Sequence, residues 1–197
     1  IVEYHPTDPD CIMMSPDMYN SYGSWDNGNT WHTIKDCDGN GDDLKRMRDF
    51  AFSRQNPDFG VALDVRGSLW ETHDRGRSWE ENANFNGDFK KGRQSVVEID
   101  PTDSSIIYVG GGDFWNVKYN NRTKDSPHHA HYSVWNGVAY GKIWRSTDGG
   151  ETWLLKNDGI HSDADIGRIW IHPEKPEILY AATSHGIYKT TNRGNHW

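Results

Sequence analysis

Ser146-Thr147-Asp148-Gly149-Gly150-Glu151-Thr152-Trp153 is the clearest copy of a phrase that this chain carries four times. The other copies are Ser24-Trp25-Asp26-Asn27-Gly28-Asn29-Thr30-Trp31, Thr72-His73-Asp74-Arg75-Gly76-Arg77-Ser78-Trp79 and Thr190-Thr191-Asn192-Arg193-Gly194-Asn195-His196-Trp197. Their shared pattern is Ser/Thr-x-Asp/Asn-x-Gly-x-x-Trp, and each element has a physical job in a tight turn between antiparallel strands. The Asp or Asn side chain accepts hydrogen bonds from backbone N–H groups, Gly supplies a positive φ, and Trp buries an indole between neighbouring sheets. Four copies in one chain amount to a repeat architecture.

The copies begin at residues 24, 72, 146 and 190, a period in the forties with extra length in the third unit. That period suits four short strands per repeat. A second echo precedes each box: Tyr4-His5-Pro6-Thr7-Asp8-Pro9-Asp10, Arg54-Gln55-Asn56-Pro57-Asp58, Ile99-Asp100-Pro101-Thr102-Asp103-Ser104 and Ile171-His172-Pro173-Glu174-Lys175-Pro176-Glu177. Runs such as Ile106-Ile107-Tyr108-Val109 follow, where β-branched and aromatic residues cluster between turn residues. Each unit reads as strand A, a Pro/Asp turn, strand B, a variable loop, strand C, the boxed turn and strand D. The expected units are residues 1–36, 48–83, 93–157 and 167–197, the last incomplete.

With these motifs the chain resembles the Asp-box, or bacterial neuraminidase repeat, β-propellers, closest in pattern to xyloglucanase-type glycoside hydrolases and sortilin-like receptors. The resemblance implies an all-β propeller of four-stranded blades, present as about four blades of a larger ring. Remaining blades are then expected from another chain or segment. Function does not follow from the blade, which serves enzymes and receptors alike.

Composition fits a secreted β protein. Only 34% of residues are hydrophobic, yet ten Trp and nine Tyr supply large buried areas. No apolar run approaches the ~20 residues needed to span a bilayer, and a net charge of −8 argues against a nucleic-acid surface. Localisation is expected to be extracellular or periplasmic. Cys11 and Cys37 could form a disulfide, but nothing in the spacing requires one.

In a meander the A–B turns and boxed C–D turns share one end of each blade, while the B–C loops and D–A connections share the other. The box residues Asp26, Asp74, Asp148 and Asn192 are therefore scaffold, and a binding site is expected at the opposite end near the ring axis. There Ser15-Pro16-Asp17-Met18-Tyr19-Asn20-Ser21-Tyr22-Gly23-Ser24 resembles the segment carrying a catalytic aspartate in xyloglucanase-type hydrolases. The likeness implies Asp17 as general base of an inverting mechanism, with Tyr19 or Tyr22 packing nearby; two glycines of that pattern are replaced here. Asp64, followed by Arg66, is a second candidate. The second carboxylic acid of an inverting pair is not assignable in this chain.

The third unit holds a long loop with Trp115, His129, His131, Tyr132 and Trp135. Aromatic faces beside hydrogen-bonding groups suit a sugar, and a loop of this length reads as a binding loop; His185 lies in the equivalent loop of the fourth unit. His/Tyr proton chemistry of a polysaccharide lyase is an alternative for the 113–140 loop, with Arg66, Arg93 or Arg168 to neutralise a uronate. Asp36, Asp38, Asn40 and Asp42 alternate as in the start of a calcium loop, so a structural Ca2+ is a candidate, although Met47 stands where an EF-hand needs a carboxylate. No other cofactor is implied. Two classes follow: an extracellular glycoside hydrolase acting on a plant or algal polysaccharide, or a non-catalytic propeller binding a glycan or protein.

Overall fold

The computed structural model describes residues 1–16, 20–36, 47–64, 67–85, 94–111, 141–162 and 164–197. Their strands form successive antiparallel meanders. Blade 1 contains β1 (Val2–Tyr4), β2 (Ile12–Met14), β3 (Tyr22–Ser24) and β4 (His32–Thr33). After β5 (Lys35–Asp36), blade 2 is built from β6 (Met47–Phe52), β7 (Gly60–Asp64), β8 (Leu69–Thr72) and β9 (Ser78–Glu81). Blade 3 holds β10 (Gln94–Ile99), β11 (Ile107–Gly111), β12 (Lys142–Ser146) and β13 (Leu154–Leu155). Blade 4 holds β14 (Ile166–Ile171), β15 (Leu179–Thr183) and β16 (Gly186–Thr190). The short β5 adds to blade 2, pairing parallel with β9 through Lys35 opposite Ser78 and Asp36 opposite Trp79.

The first three boxed turns are built alike, whereas in the fourth the Trp197 indole donates to Lys156 O (2.9 Å). In the second, Thr72 Oγ1 donates to Asp74 Oδ1 (2.8 Å) and accepts from the Gly76 N–H (2.9 Å). Asp74 also accepts from the Ser78 N–H (2.9 Å) and hydroxyl (2.5 Å), and the Trp79 indole donates to Gly76 O (3.0 Å). Ser146, Asp148, Gly150, Thr152 and Trp153 repeat every one of these contacts. The residue before each box glycine takes a left-handed φ of 58° at Asn27, 61° at Arg75, 74° at Gly149 and 56° at Arg193. Its N–H donates to the A–B turn of the same blade, at Asp10, Asp58, Ser105 and Glu177 O respectively. The two turns are thereby tied together at one end of each blade.

The A–B turns share a cap that the sequence echo only hinted at. His5, Ser53, Asp100 and His172 occupy one position, and each side chain accepts from backbone N–H groups two or three residues on. His5 Nδ1 takes Asp8 N–H (3.0 Å), Ser53 Oγ takes Asn56 N–H (3.0 Å), Asp100 Oδ1 takes Thr102 N–H (2.9 Å) and His172 Nδ1 takes Lys175 N–H (3.2 Å). Imidazole, hydroxyl and carboxylate are interchangeable here because the turn needs only an acceptor.

Strand alternation sends the two faces of each blade into different cores. Cys11, Met13 and Ile34 meet Phe50, Phe52, Ala62 and Trp79 between blades 1 and 2. Val61, Leu63 and Leu69 meet Val97, Ile107, Val109 and Trp153 between blades 2 and 3. Tyr108 and Ile143 meet Ile169, Leu179 and Ala181 between blades 3 and 4. Each box tryptophan lies on the side of its blade facing the preceding one. Trp79 is 0% exposed and Trp153 7%, whereas Trp31, in the first described blade, is 38% exposed. Burying such a ring removes ~150–250 Å² from water, an upper-bound gain of roughly 4–6 kcal/mol.

Hydrogen bonds stitch the same interfaces. Cys11 Sγ and Trp25 Nε1 donate to Arg75 O (3.5 and 2.8 Å), while Tyr108 Oη and Arg145 Nη1 donate to Arg193 O (3.4 and 2.7 Å). Arg75 also reaches back to Asp8 (3.2 Å), and Arg193 to the buried Asp100 (3.5 Å). Cys11 is a buried free thiol, not half of a disulfide; burial first, then the Asp8 charge, pushes it up to about 11.

Candidate functional site

Two regions carry polar chemistry. At the loop end, Asp64 closes the B–C turn of blade 2. Its Oδ1 accepts the Ser68 N–H (2.9 Å), its Oδ2 accepts the Trp70 indole N–H (3.4 Å), and its own N–H donates to Ser68 O (3.0 Å). Holding both a turn and an indole is a positioning role for this carboxylate. In blade 4, His185 is exposed on the B–C turn and stacks on His161 of the preceding connection, 4.3 Å between centroids and 11° between planes. Ser184 Oγ lies 3.1 Å from His185 Nδ1, and Tyr188 Oη accepts the His161 N–H (3.3 Å).

The second region lies on the axis, where the inner strand β10 packs against both β6 and β14. Arg168 Nη1 donates to both oxygens of Asp49 (3.2 and 3.3 Å), and Asp49 Oδ2 also accepts the Val97 N–H (3.0 Å). Arg168 Nη2 lies 3.9 Å from Glu98 Oε1. Glu3 faces the same space, and a cavity of about 150 Å³ opens beside it toward the A–B turns, lined also by Phe52, Arg54 and Pro101. Asp49 and Glu98 thus share one guanidinium, and Glu3 lines the same cavity as Glu98 and Arg168. Burial, then the charge of Asp49, pushes Glu98 up to about 8 and Glu3 up to about 7, with Arg168 opposing both. Arg168, a sequence candidate for neutralising a uronate, is instead engaged by Asp49 and Glu98.

Of the residues singled out from sequence, Asp64 and His185 are described, in separate blades. Asp36 contributes its backbone to β5. Asp17, Tyr19, Arg66, Trp115, His129, His131, Tyr132, Trp135, Asp38, Asn40 and Asp42 lie outside the described residues. Among the described residues, no three His, Cys, Asp or Glu side chains are grouped to hold a metal ion. No described helix is long and apolar enough to cross a membrane. Sequence reasoning missed the axial cluster. A signal for part of it was present, since Glu3 and Glu98 each stand three residues before the proline of an A–B turn, at Pro6 and Pro101.

No protein-family model matches this chain, and no curated protein matches it. Among solved structures, an ancestral GH74 enzyme superposes with a TM-score of 0.73 at 17% identity, over 100% of this chain and 23% of that one. The GH74 xyloglucanase from Xanthomonas campestris gives 0.64 at 14% identity, over 100% of this chain and 29% of that one. YCF48 bound to D1 peptide gives 0.58 at 14% identity, over 97% of this chain and 50% of that one. The chain therefore spans about a quarter of the glycosidase neighbours and half of YCF48. Fold and comparisons together define an all-β propeller segment of four consecutive blades.

Proposed function

We propose that this segment belongs to an extracellular glycoside hydrolase that cleaves a plant or algal polysaccharide by an inverting, two-carboxylate mechanism. Asp17 is the general base that activates water, and the acid comes from elsewhere in the ring. The observation that supports this reading most is the anchoring of the loop that carries Asp17. Buried Ser15 and Ser21 hydrogen bond to each other (3.0 Å), and both accept the Met47 N–H at the start of the inner strand of blade 2 (2.9 and 3.1 Å). Flanks fixed in this way suit a residue that must be held in place. Similarity to the GH74 structures over the whole chain adds to it.

Further blades cover the two open faces, where Val2 and Tyr4 on one side and Trp170, Tyr180 and Ile187 on the other are exposed. Asp17→Asn, assayed for release of reducing ends from a polysaccharide panel, is expected to lose about 10²–10⁴ in kcat with little change in KM. Unchanged turnover would remove Asp17 from catalysis. A second reading, a non-catalytic propeller that binds an extended polypeptide, takes its support from the likeness to YCF48 bound to D1 peptide. Saturable peptide binding without turnover of any polysaccharide would select it.

A further inference from the structure

The joints between neighbouring blades follow one rule. A side chain from the later half of one blade donates to a main-chain carbonyl of the next blade's boxed turn: Trp25 to Arg75 O (2.8 Å), Asn82 to Gly150 O (3.3 Å) and Arg145 to Arg193 O (2.7 Å). At the last joint Tyr108, directly across from Arg145 in the β11–β12 pairing, donates to the same carbonyl (3.4 Å). Blade 4 repeats that pair. Tyr180 stands across from Lys189, which precedes its box as Arg145 precedes Ser146, and Lys189 Nζ lies over the Tyr180 ring, 5.6 Å from its centroid. Both are exposed, on a face that also carries the exposed Trp170 and Ile187.

The opposite half of such a joint is exposed on blade 1. Asn27 holds the left-handed position of Arg75 and Arg193, and its box ends on the half-exposed Trp31. Val2 and Tyr4 stand where Phe50 and Phe52 are buried in blade 2.

Charge decides which boxes fit blade 4. One position of each A–B turn, marked by a carbonyl that accepts from the residue just before the second strand, holds Asp8, Asn56, Asp103 and Lys175 in blades 1 to 4. The next boxes offer Arg75 to Asp8, Gly149 to Asn56 and Arg193 to Asp103. Asp8 meets Arg75 at 3.2 Å. A cationic box would meet repulsion at Lys175, so blade 4 fits a box with a neutral residue at this place. Of the four boxes, those with Asn27 and Gly149 qualify, and Gly149 already belongs to the joint with blade 2.

We propose that blade 4 of one copy docks on blade 1 of a second copy, a head-to-tail joint in which Tyr180 and Lys189 donate to the Asn27 carbonyl. The contact is heterologous, so each copy carries both complementary faces. This chain spans half of YCF48, so two copies match that neighbour in length. The second copy then supplies the further blades proposed above, while catalysis by Asp17 is tested by turnover and not by association.

Sedimentation equilibrium of the unaltered chain is expected to give at least double the monomer mass. Ile187→Asp disables the blade 4 face and Tyr4→Asp the blade 1 face, both at exposed positions, so circular dichroism should stay unchanged. Each variant alone is expected to be monomeric, and their mixture to form a dimer through the two intact faces. Asn27→Arg, the residue that boxes 2 and 4 accept at this position, sets a cation against Lys175 and is expected to weaken association about tenfold. Adding Lys175→Asp recreates the Asp8–Arg75 arrangement and restores it. A monomeric unaltered chain overturns the joint, as does a mixture of the two face variants that stays monomeric, or an Asn27→Arg chain whose association neither falls nor responds to Lys175→Asp.

Discussion

At the scale of single residues, the box aspartates show how a carboxylate in a repeat becomes structural. Thr30 hydroxyl and N–H hold Asp26 below the usual carboxylate range, and burial at Asp74 is outweighed by the Ser78 hydroxyl and N–H. Removing one such group strands several donors at once. Asp74→Ala, which leaves the Ser78 N–H and hydroxyl and the Thr72 hydroxyl without their acceptor, is expected to cost about 1–3 kcal/mol; denaturant unfolding measures it, and a loss below the lower figure would mean that water substitutes freely. This structural role was legible from sequence, because the motif is local and its spacing dictates a turn. Asp64 was less so. Its partners, Ser68 and Trp70, are also local, but an aspartate in a B–C loop carries no pattern that separates a turn closure from a general base.

At the scale of strands and blades, tryptophan burial records position in the ring. Positions equivalent to Phe50 (2% exposed) and Phe52 (7%) in blade 2 are Val2 (54%) and Tyr4 (63%) in blade 1. The side chains are comparable in hydrophobicity, and the difference lies in whether a blade stands in front of them. Trp79→Ala is accordingly expected to cost about 3–5 kcal/mol, and Trp31→Ala in the same chain well under half of that, both read from the shift in the unfolding midpoint. Equal losses would show that the indole stabilises its own hairpin and not the joint between blades. Strand order was readable from the sequence because turns punctuate it. The register was not: β-bulges at Arg48, Ser95 and Gly167 shift the pairing of β6, β10 and β14, and no shared residue type marks them.

For the whole molecule, the lowered carboxylates set the response to acid. The Thr152 hydroxyl and N–H and the Ser146 hydroxyl hold Asp148 down to about 2, and Asp26, Asp74 and Asp103 are also lowered. Lowered carboxylates contribute stability above their unfolded value, near 3.8, and that contribution is lost as the pH falls through about 4 to 2. An unfolding-midpoint profile should therefore drop at the acid end. Replacing the aspartates of the first three boxes by Asn, the residue that nature places at 192, should shrink that acid limb; an unchanged limb would assign it to other carboxylates. The axial cluster stayed out of view in the sequence because Glu3, Asp49, Glu98 and Arg168 belong to four different repeats, and only closure of the inner strands makes them neighbours.

The parallel seam between β5 and β9 means that the repeats are not interchangeable cassettes. Lys35 and Asp36 follow the first hairpin in the chain but hydrogen bond to the second blade's outer strand. An engineer who transplants blade 2 by cutting just before Met47 would strip that strand away, and one who cuts just after Trp31 would carry off β4, which pairs with β3 of blade 1. The transferable module begins at Lys35.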